Sequence, residues 1–173
     1  KRSPAGRAMT EQATRPEAAV GVADAPPLMD IRNLKVYFRV TSGILLGRTT
    51  GFIKAVDDVS LIIRPGETLG LVGESGSGKT TLGRAALQLI EPTDGEVIFD
   101  GEDLMKLSSR EMRQRRRQLG FVFQDPYGSL NPRMTAGSMI GEPLKIHKLF
   151  DGKEDYRRQV GDLLETVGLS RSM

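Results

Sequence analysis

The chain has 173 residues, enough for one domain or part of a larger one. Its 38% hydrophobic content is low for a chain folded throughout, and its net charge of +3 is too mild to name a partner. With no cysteine, a disulfide framework, a thiolate zinc site and a cysteine nucleophile are excluded, and no apolar run approaches the roughly 20 residues of a membrane span.

Residues 1–27, rich in Ala, Pro and charge without an apolar period, are expected to form a disordered extension ending at Pro26-Pro27. Lys1-Arg2 leads into no apolar core, so no secretory signal is expected. Ile31, Leu34, Val36 and Phe38 then alternate with polar residues, a strand pattern with one slip between Ile31 and Leu34. Thr41 to Gly51 reads as a loop, and Lys54 to Ile63 as a second strand, closed by the turn Pro65-Gly66-Glu67 and antiparallel to the first. Thr68 to Val72 is a short apolar run of the kind a buried strand shows, and Leu82, Ala85, Ala86 and Leu89 mark one face of a helix.

Between that strand and that helix stands Gly73-Glu74-Ser75-Gly76-Ser77-Gly78-Lys79-Thr80, which fits Gly, four residues, Gly-Lys-Ser/Thr. Glycines let successive backbone N–H groups turn inward on a polyphosphate, and the start of a helix adds the positive end of its dipole. Lys79 offers a point charge for the β- and γ-phosphates, and the Thr80 hydroxyl is placed to ligate Mg²⁺. A glycine-rich turn that merely contains a lysine would not need the flanking strand and helix. The stretch reads as a nucleoside triphosphate site.

Further on, Pro92 to Gly95 is a turn, Glu96 to Phe99 a strand, and Asp100-Gly101 a second turn. Ser108 and Glu111 form a capping box for a helix to about Gln118, and Leu119 to Phe123 is an apolar strand ended by Gln124-Asp125-Pro126. Tyr127 to Pro132 is loop. A helix from about Thr135 breaks near Pro143, and the last helix runs from near Asp151, with Val160, Leu163, Leu164 and Val167 on one face and Gly168 as its stop. No internal repeat is present.

Two apolar runs end in an acid that could hold a metal, at Asp100 and at Asp125, but one stands before a glycine turn and the other before proline, so each reads better as a turn residue. Gln124 could reach a γ-phosphate, orient a water or touch Mg²⁺; taken alone it reads better as a polar cap on a strand. The arginines at 113, 115, 116 and 117 lack interleaved aromatics, which favours a solvated helix face over nucleic-acid binding. His147 has no metal-ligand companion at helical spacing and reads as a surface residue.

The two strands before the loop, Gly73 to Thr81, the hairpin Gly95 to Gly101 and the strand ending Phe123-Gln124-Asp125-Pro126 together resemble ATP-binding subunits of ABC transporters. The likeness to the dipeptide and oligopeptide importers is closer still, carried by Leu69 to Thr81 and by Phe123 to Thr135, and the similarity runs from about residue 29 to the end. The resemblance implies ATP and Mg²⁺ as ligands. Gly73, Glu74, Ser75, Gly76, Ser77, Gly78, Lys79, Thr80 and Thr81 would surround the phosphates, with Tyr37 stacked on adenine and Val56 as an apolar neighbour. Gln124 would sense Mg²⁺ and γ-phosphate, which reverses the preference for a strand cap; Thr80 and Gln124 would hold the metal, and Lys79 and Gln124 would serve the reaction.

The same resemblance sets Asp125 to Leu149 against cytoplasmic loops of integral-membrane permease subunits, with a second ATP-binding subunit beside them, at the cytoplasmic face of a bacterial inner membrane. It implies an α/β, P-loop NTPase core of ABC type with an antiparallel β-subdomain. Residues 28–173 would be its N-terminal part, truncated before the Ser-Gly-Gly-Gln signature, the Asp-Glu strand and the switch histidine, all expected past Met173. A fragment of this kind is not expected to hydrolyse ATP alone. A GTPase is disfavoured by the lack of an Asn-Lys-x-Asp base reader, and a nucleic-acid-handling ABC protein by the Tyr127 to Thr135 match.

Overall fold

The computed structural model describes residues 25–42, 48–125 and 128–171; residues 1–24 of the expected extension lie outside them, as do 43–47 and Pro126-Tyr127. The chain forms two compact units that part between Met105 and Lys106.

In the first unit, β1 (Met29–Ser42) and β2 (Arg48–Ile63) pair antiparallel, and β3 (Asp94–Phe99) pairs with the other edge of β1 and with the short β4 (Glu102–Asp103), in the order β2-β1-β3-β4. The strands reach further than the sequence pattern suggests: Thr41-Ser42 and Arg48 to Gly51, read as loop, continue the ladder. The slip between Ile31 and Leu34 is a bulge, with Asn33 at φ 47° and its amide donating to Asp58 at 2.9 Å. It returns Leu34 to the buried face, so Ile31, Leu34 and Val36 are all inside.

Helix α1 (Lys79–Ala86) packs on β1 and β2. Its buried Leu82, Ala85 and Ala86, with Ile31, Leu34, Val36, Val56, Val97, Phe99 and Leu104, make the core of this unit. Removing those apolar side chains from water is what holds a short helix of eight residues, too short to persist alone.

The second unit holds α2 (Ser109–Arg115), α3 (Ala136–Ile140), α4 (Glu142–His147) and α5 (Gly152–Thr166). The capping box on α2 forms as expected, Ser108 N–H donating to Glu111 at 2.8 Å and the Ser108 hydroxyl accepting from Glu111 N–H. α5 begins after Asp151 and ends in a Schellman turn, where Gly168 (φ 78°) and Leu169 N–H groups donate to the Glu165 and Leu164 carbonyls at 2.9 Å. The break expected near Pro143 falls two residues earlier, at Gly141; Pro143 sits in the first turn of α4, where its missing N–H costs no helical bond.

Two expected strands do not form ladders among the described residues: Thr68–Val72 and Leu119–Phe123 are irregular, with Leu71, Val72, Val122 and Phe123 exposed. A run that is apolar on both faces needs neighbours on each side, and the described strands pair only with one another.

Candidate functional site

Gly73 to Thr81 folds back at Ser75-Gly76, closed by Ser77 N–H on the Glu74 carbonyl at 3.2 Å, and runs into α1 at Lys79. Gly78 is the residue that makes this entry possible. Its φ of 94° suits glycine alone, and a Cβ would run into the Ala55 carbonyl, whose carbon stands 3.3 Å away. The loop thus lies directly on β2, with the Val56 Cγ2 3.9 Å from that same point.

No side chain caps α1, and no acid sits in its first turn. The opening N–H groups of a helix have no partners within it, so this end is left to an anion or to water. The Lys79 ammonium reaches back across the loop, donating to the Gly73 and Glu74 carbonyls at 2.6 Å each and to the Ser77 hydroxyl at 3.2 Å. Thr80 stands exposed in the first turn. An uncapped helix start, a lysine held over a glycine loop and an exposed hydroxyl suit a polyphosphate with a hard cation.

The two residues expected beside the base take different faces of the β1–β2 ribbon. Val56 is buried under the loop, paired with Val36. The ladder shifts between Val36 and Tyr37, Ala55 being the extra residue on β2, and along β1 the alternation of faces sets Tyr37 opposite to Val36, beside polar partners. Its hydroxyl donates to Asp57, whose other oxygen accepts from Lys54 at 3.0 Å, and the Lys54 ammonium stands 5.0 Å from the ring centre. The hydrogen bonds from Tyr37 and then Lys54 hold the Asp57 carboxyl below its usual pKa, and the bond to Asp57 raises that of Tyr37. The aromatic residue that shares the face of Val36 and Val56 is Phe38, 42% exposed and paired with Ile53. The alternation Leu34, Val36, Phe38 was the signal for it.

Gln124 belongs to the second unit, where it is exposed. Asp125 organises the loop beyond it, accepting from Gly128 N–H at 3.1 Å through its side chain and from the Ser129 hydroxyl at 2.6 Å through its carbonyl. Asn131 and Thr135 take up Arg133 and Ser138 N–H groups in the same manner. Asp100 sits in the turn after β3 at φ 50°, its N–H on the Leu28 carbonyl at 2.8 Å. Among the described residues no three His, Cys, Asp or Glu cluster as a metal site, and no helix is long and apolar enough to cross a membrane. Arg110, Arg113, Arg116 and Arg117 are exposed around α2.

Residues 56–172 match the family model described as ABC transporter. The chain is 51% identical over 148 residues to the glutathione import ATP-binding protein GsiA of Escherichia coli K12, and equally to that of Shigella sonnei; it spans 23% of the length of those relatives, and the match covers 86% of this chain. Among solved structures, the ATP-binding cassette MJ0796, a dimer bound to ADP and Pi, is similar at a TM-score of 0.65 and 29% identity, over 79% of this chain and 56% of that one. The cbiO1 protein of Clostridium perfringens, at 19% identity and a TM-score of 0.59 over 83% and 51% of the two chains, shows the fold alone. A glycine loop seated on an antiparallel ribbon, and a family match that runs from that ribbon to the last helix, together show that the chain belongs to the ABC transporter family of ATP-binding domains.

Proposed function

We propose that this chain is the nucleotide-binding part of an ABC importer subunit that couples ATP binding and hydrolysis to uptake of a small peptide. The observation that carries the reading is the loop itself: the uncapped start of α1, with Lys79 laid across it. ATP would place its phosphates against Gly73 to Thr81. Thr80, whose hydroxyl is exposed in the first unit, would hold Mg²⁺, which would neutralise phosphate charge; for Gln124, in the second unit, the metal role is proposed from the sequence resemblance alone. Lys79 would exchange its bonds to the Gly73 and Glu74 carbonyls for phosphate oxygens, adding charge as the bond to the γ-phosphate lengthens.

For the base we propose Phe38 in place of Tyr37. Phe38 lies on the face that carries the loop, whereas the Tyr37 ring and hydroxyl are engaged by Lys54 and Asp57 on the other. Val56 is proposed as the apolar residue under the nucleotide, its Cγ2 lying 3.9 Å from where a Gly78 Cβ would stand.

The peptide class follows the 51% identity to proteins named for glutathione import. A second ATP-binding subunit and integral-membrane permease subunits are the proposed partners, with Asp125 to Leu149 the segment that would meet the latter, at the cytoplasmic face of the inner membrane. Residues 1–27 are proposed as an extension and 28–173 as the N-terminal part of the ATP-binding domain. The test is Lys79→Ala in the full-length protein, which removes a charge-assisted contact and is expected to weaken Mg-ATP binding about ten- to hundredfold. Equal affinity in mutant and wild type refutes the site.

A further inference from the structure

Gly141 is buried where α3 gives way to α4. Its backbone is helical, at φ −82° and ψ −6°, its N–H donates to the Gly137 carbonyl at 3.0 Å, and its carbonyl accepts from Lys145 at 3.2 Å. Nothing in that conformation calls for glycine. Space does: a Cβ would strike the Tyr156 hydroxyl and stand 2.6 Å from Cζ and 2.8 Å from Cε2 of the same ring.

Tyr156 has little room to yield. Its ring meets Phe150 edge-on at 5.0 Å and 62°, and the Lys145 ammonium lies 4.9 Å from its centre. Its own helix, α5, is anchored by buried Val160 and Leu164 and packs on α3. Lys145 comes from α4 and Phe150 from the link to α5, so the phenol is gripped from the side of the bend that it supports. At the other end of α3, Thr135 caps the helix straight after the loop that Asp125 and Asn131 hold in turns. The loop, α3 and the bend therefore form one run of tied backbone.

We propose that Tyr156 is a positioning residue: seated on Gly141, it sets the bend between α3 and α4 and so fixes how the loop 128–135 is presented to the membrane partner. This rests on the importer reading given above. Tyr156 acts through α3, against whose end its ring is packed; packed side chains and rigid elements are among the carriers of coupling between sites.

The experiment uses the full-length protein assembled with its membrane subunits and carrying Arg133→Cys, an exposed loop position, as the cross-linking probe. Gly141→Ala and Tyr156→Leu are expected to lower cross-linking to the membrane subunits by roughly two- to thirtyfold while ATP affinity stays unchanged. The double variant is expected to be no worse than Tyr156→Leu alone, because without the ring the added methyl has nothing to strike. Wild-type cross-linking in both single variants, or losses that simply multiply in the double one, overturns the proposal. Should Gly141→Ala fail to fold, Tyr156→Leu, which keeps the glycine, decides the matter by the same readout. If the parent with Arg133→Cys alone never cross-links to the membrane subunits, it is the importer reading that falls, and the positioning role with it.

Discussion

The two faces of the β1–β2 ribbon are built by opposite means. One face, Val36, Val56 and Phe38, is apolar and receives the glycine loop, held by close packing at Gly78. The other carries Lys35 and Tyr37, half-buried, with Lys54 and Asp57, exposed, and holds itself together by ion pairs and hydrogen bonds, Lys35 reaching Asp94 at 3.0 Å. Packing places a loop within fractions of an ångström, because interiors have no slack. Exposed ion pairs contribute little and are screened by salt. Substitutions on the first face should therefore change nucleotide binding, and those on the second should not.

The largest effect is expected from Gly78→Ala. The methyl needs the space of the Ala55 carbonyl, a backbone atom that cannot swing aside, and a φ of 94° strains any side chain. Mg-ATP binding should be lost, with a drop in stability above about 2 kcal/mol by thermal melting. Gly76→Ala is the control: φ is again positive, at 81°, but the space is open, so only the cost of the conformation, about 1 kcal/mol, is expected. If both variants bind ATP equally, the loop does not rest on β2 as described.

Next comes the step between neighbours. Phe38→Ala should weaken ATP and GTP alike, by roughly 1–3 kcal/mol, since an aromatic face stacks on any purine. Tyr37→Ala should leave both affinities within about twofold, well under 1 kcal/mol. Titration of both nucleotides against both variants reads this directly. A loss confined to Tyr37→Ala returns the base to the polar face.

That pair also shows what was legible in the sequence. The loop was, because glycine spacing, a lysine and a helix face coincide there and the chemistry leaves few alternatives. The bulge was visible too, as a slip in alternation at Ile31 and Leu34. Likeness to a family named Tyr37 for the base, whereas the face of the ribbon that carries the loop is the ground for proposing Phe38, and one step in a strand is the opposite face. The apolar runs at 68–72 and 119–123 were legible as apolar but not as ladders, since a strand is defined by its neighbours and the described residues supply none. The Gly141–Tyr156 approach was invisible, because nothing in a sequence says which glycine is present for space rather than for φ.

The smallest effect is expected from the polar face under changing pH. The Asp57 carboxyl is held below its usual pKa by the bonds from Tyr37 and Lys54, so it stabilises the fold above the unfolded value of about 4 and that contribution fades as pH falls through the lower, folded value. Tyr37 is shifted the other way, so its contribution is complete below about pH 10 and is lost as pH rises through its higher folded value. Asp57→Asn should therefore make the acid limb of a melting curve shallower than in wild type. Asp94, Glu111, Asp155 and Glu165 are also held low, so only the difference between the two proteins reports on Asp57. With the Asp57 side chain 45% exposed, salt should erase much of that difference. Mg-ATP affinity at neutral pH should not change at all. An Asp57→Asn variant that loses ATP as Phe38→Ala is expected to would mean that the nucleotide is felt on both faces of the ribbon, and that alternation along β1 does not separate them.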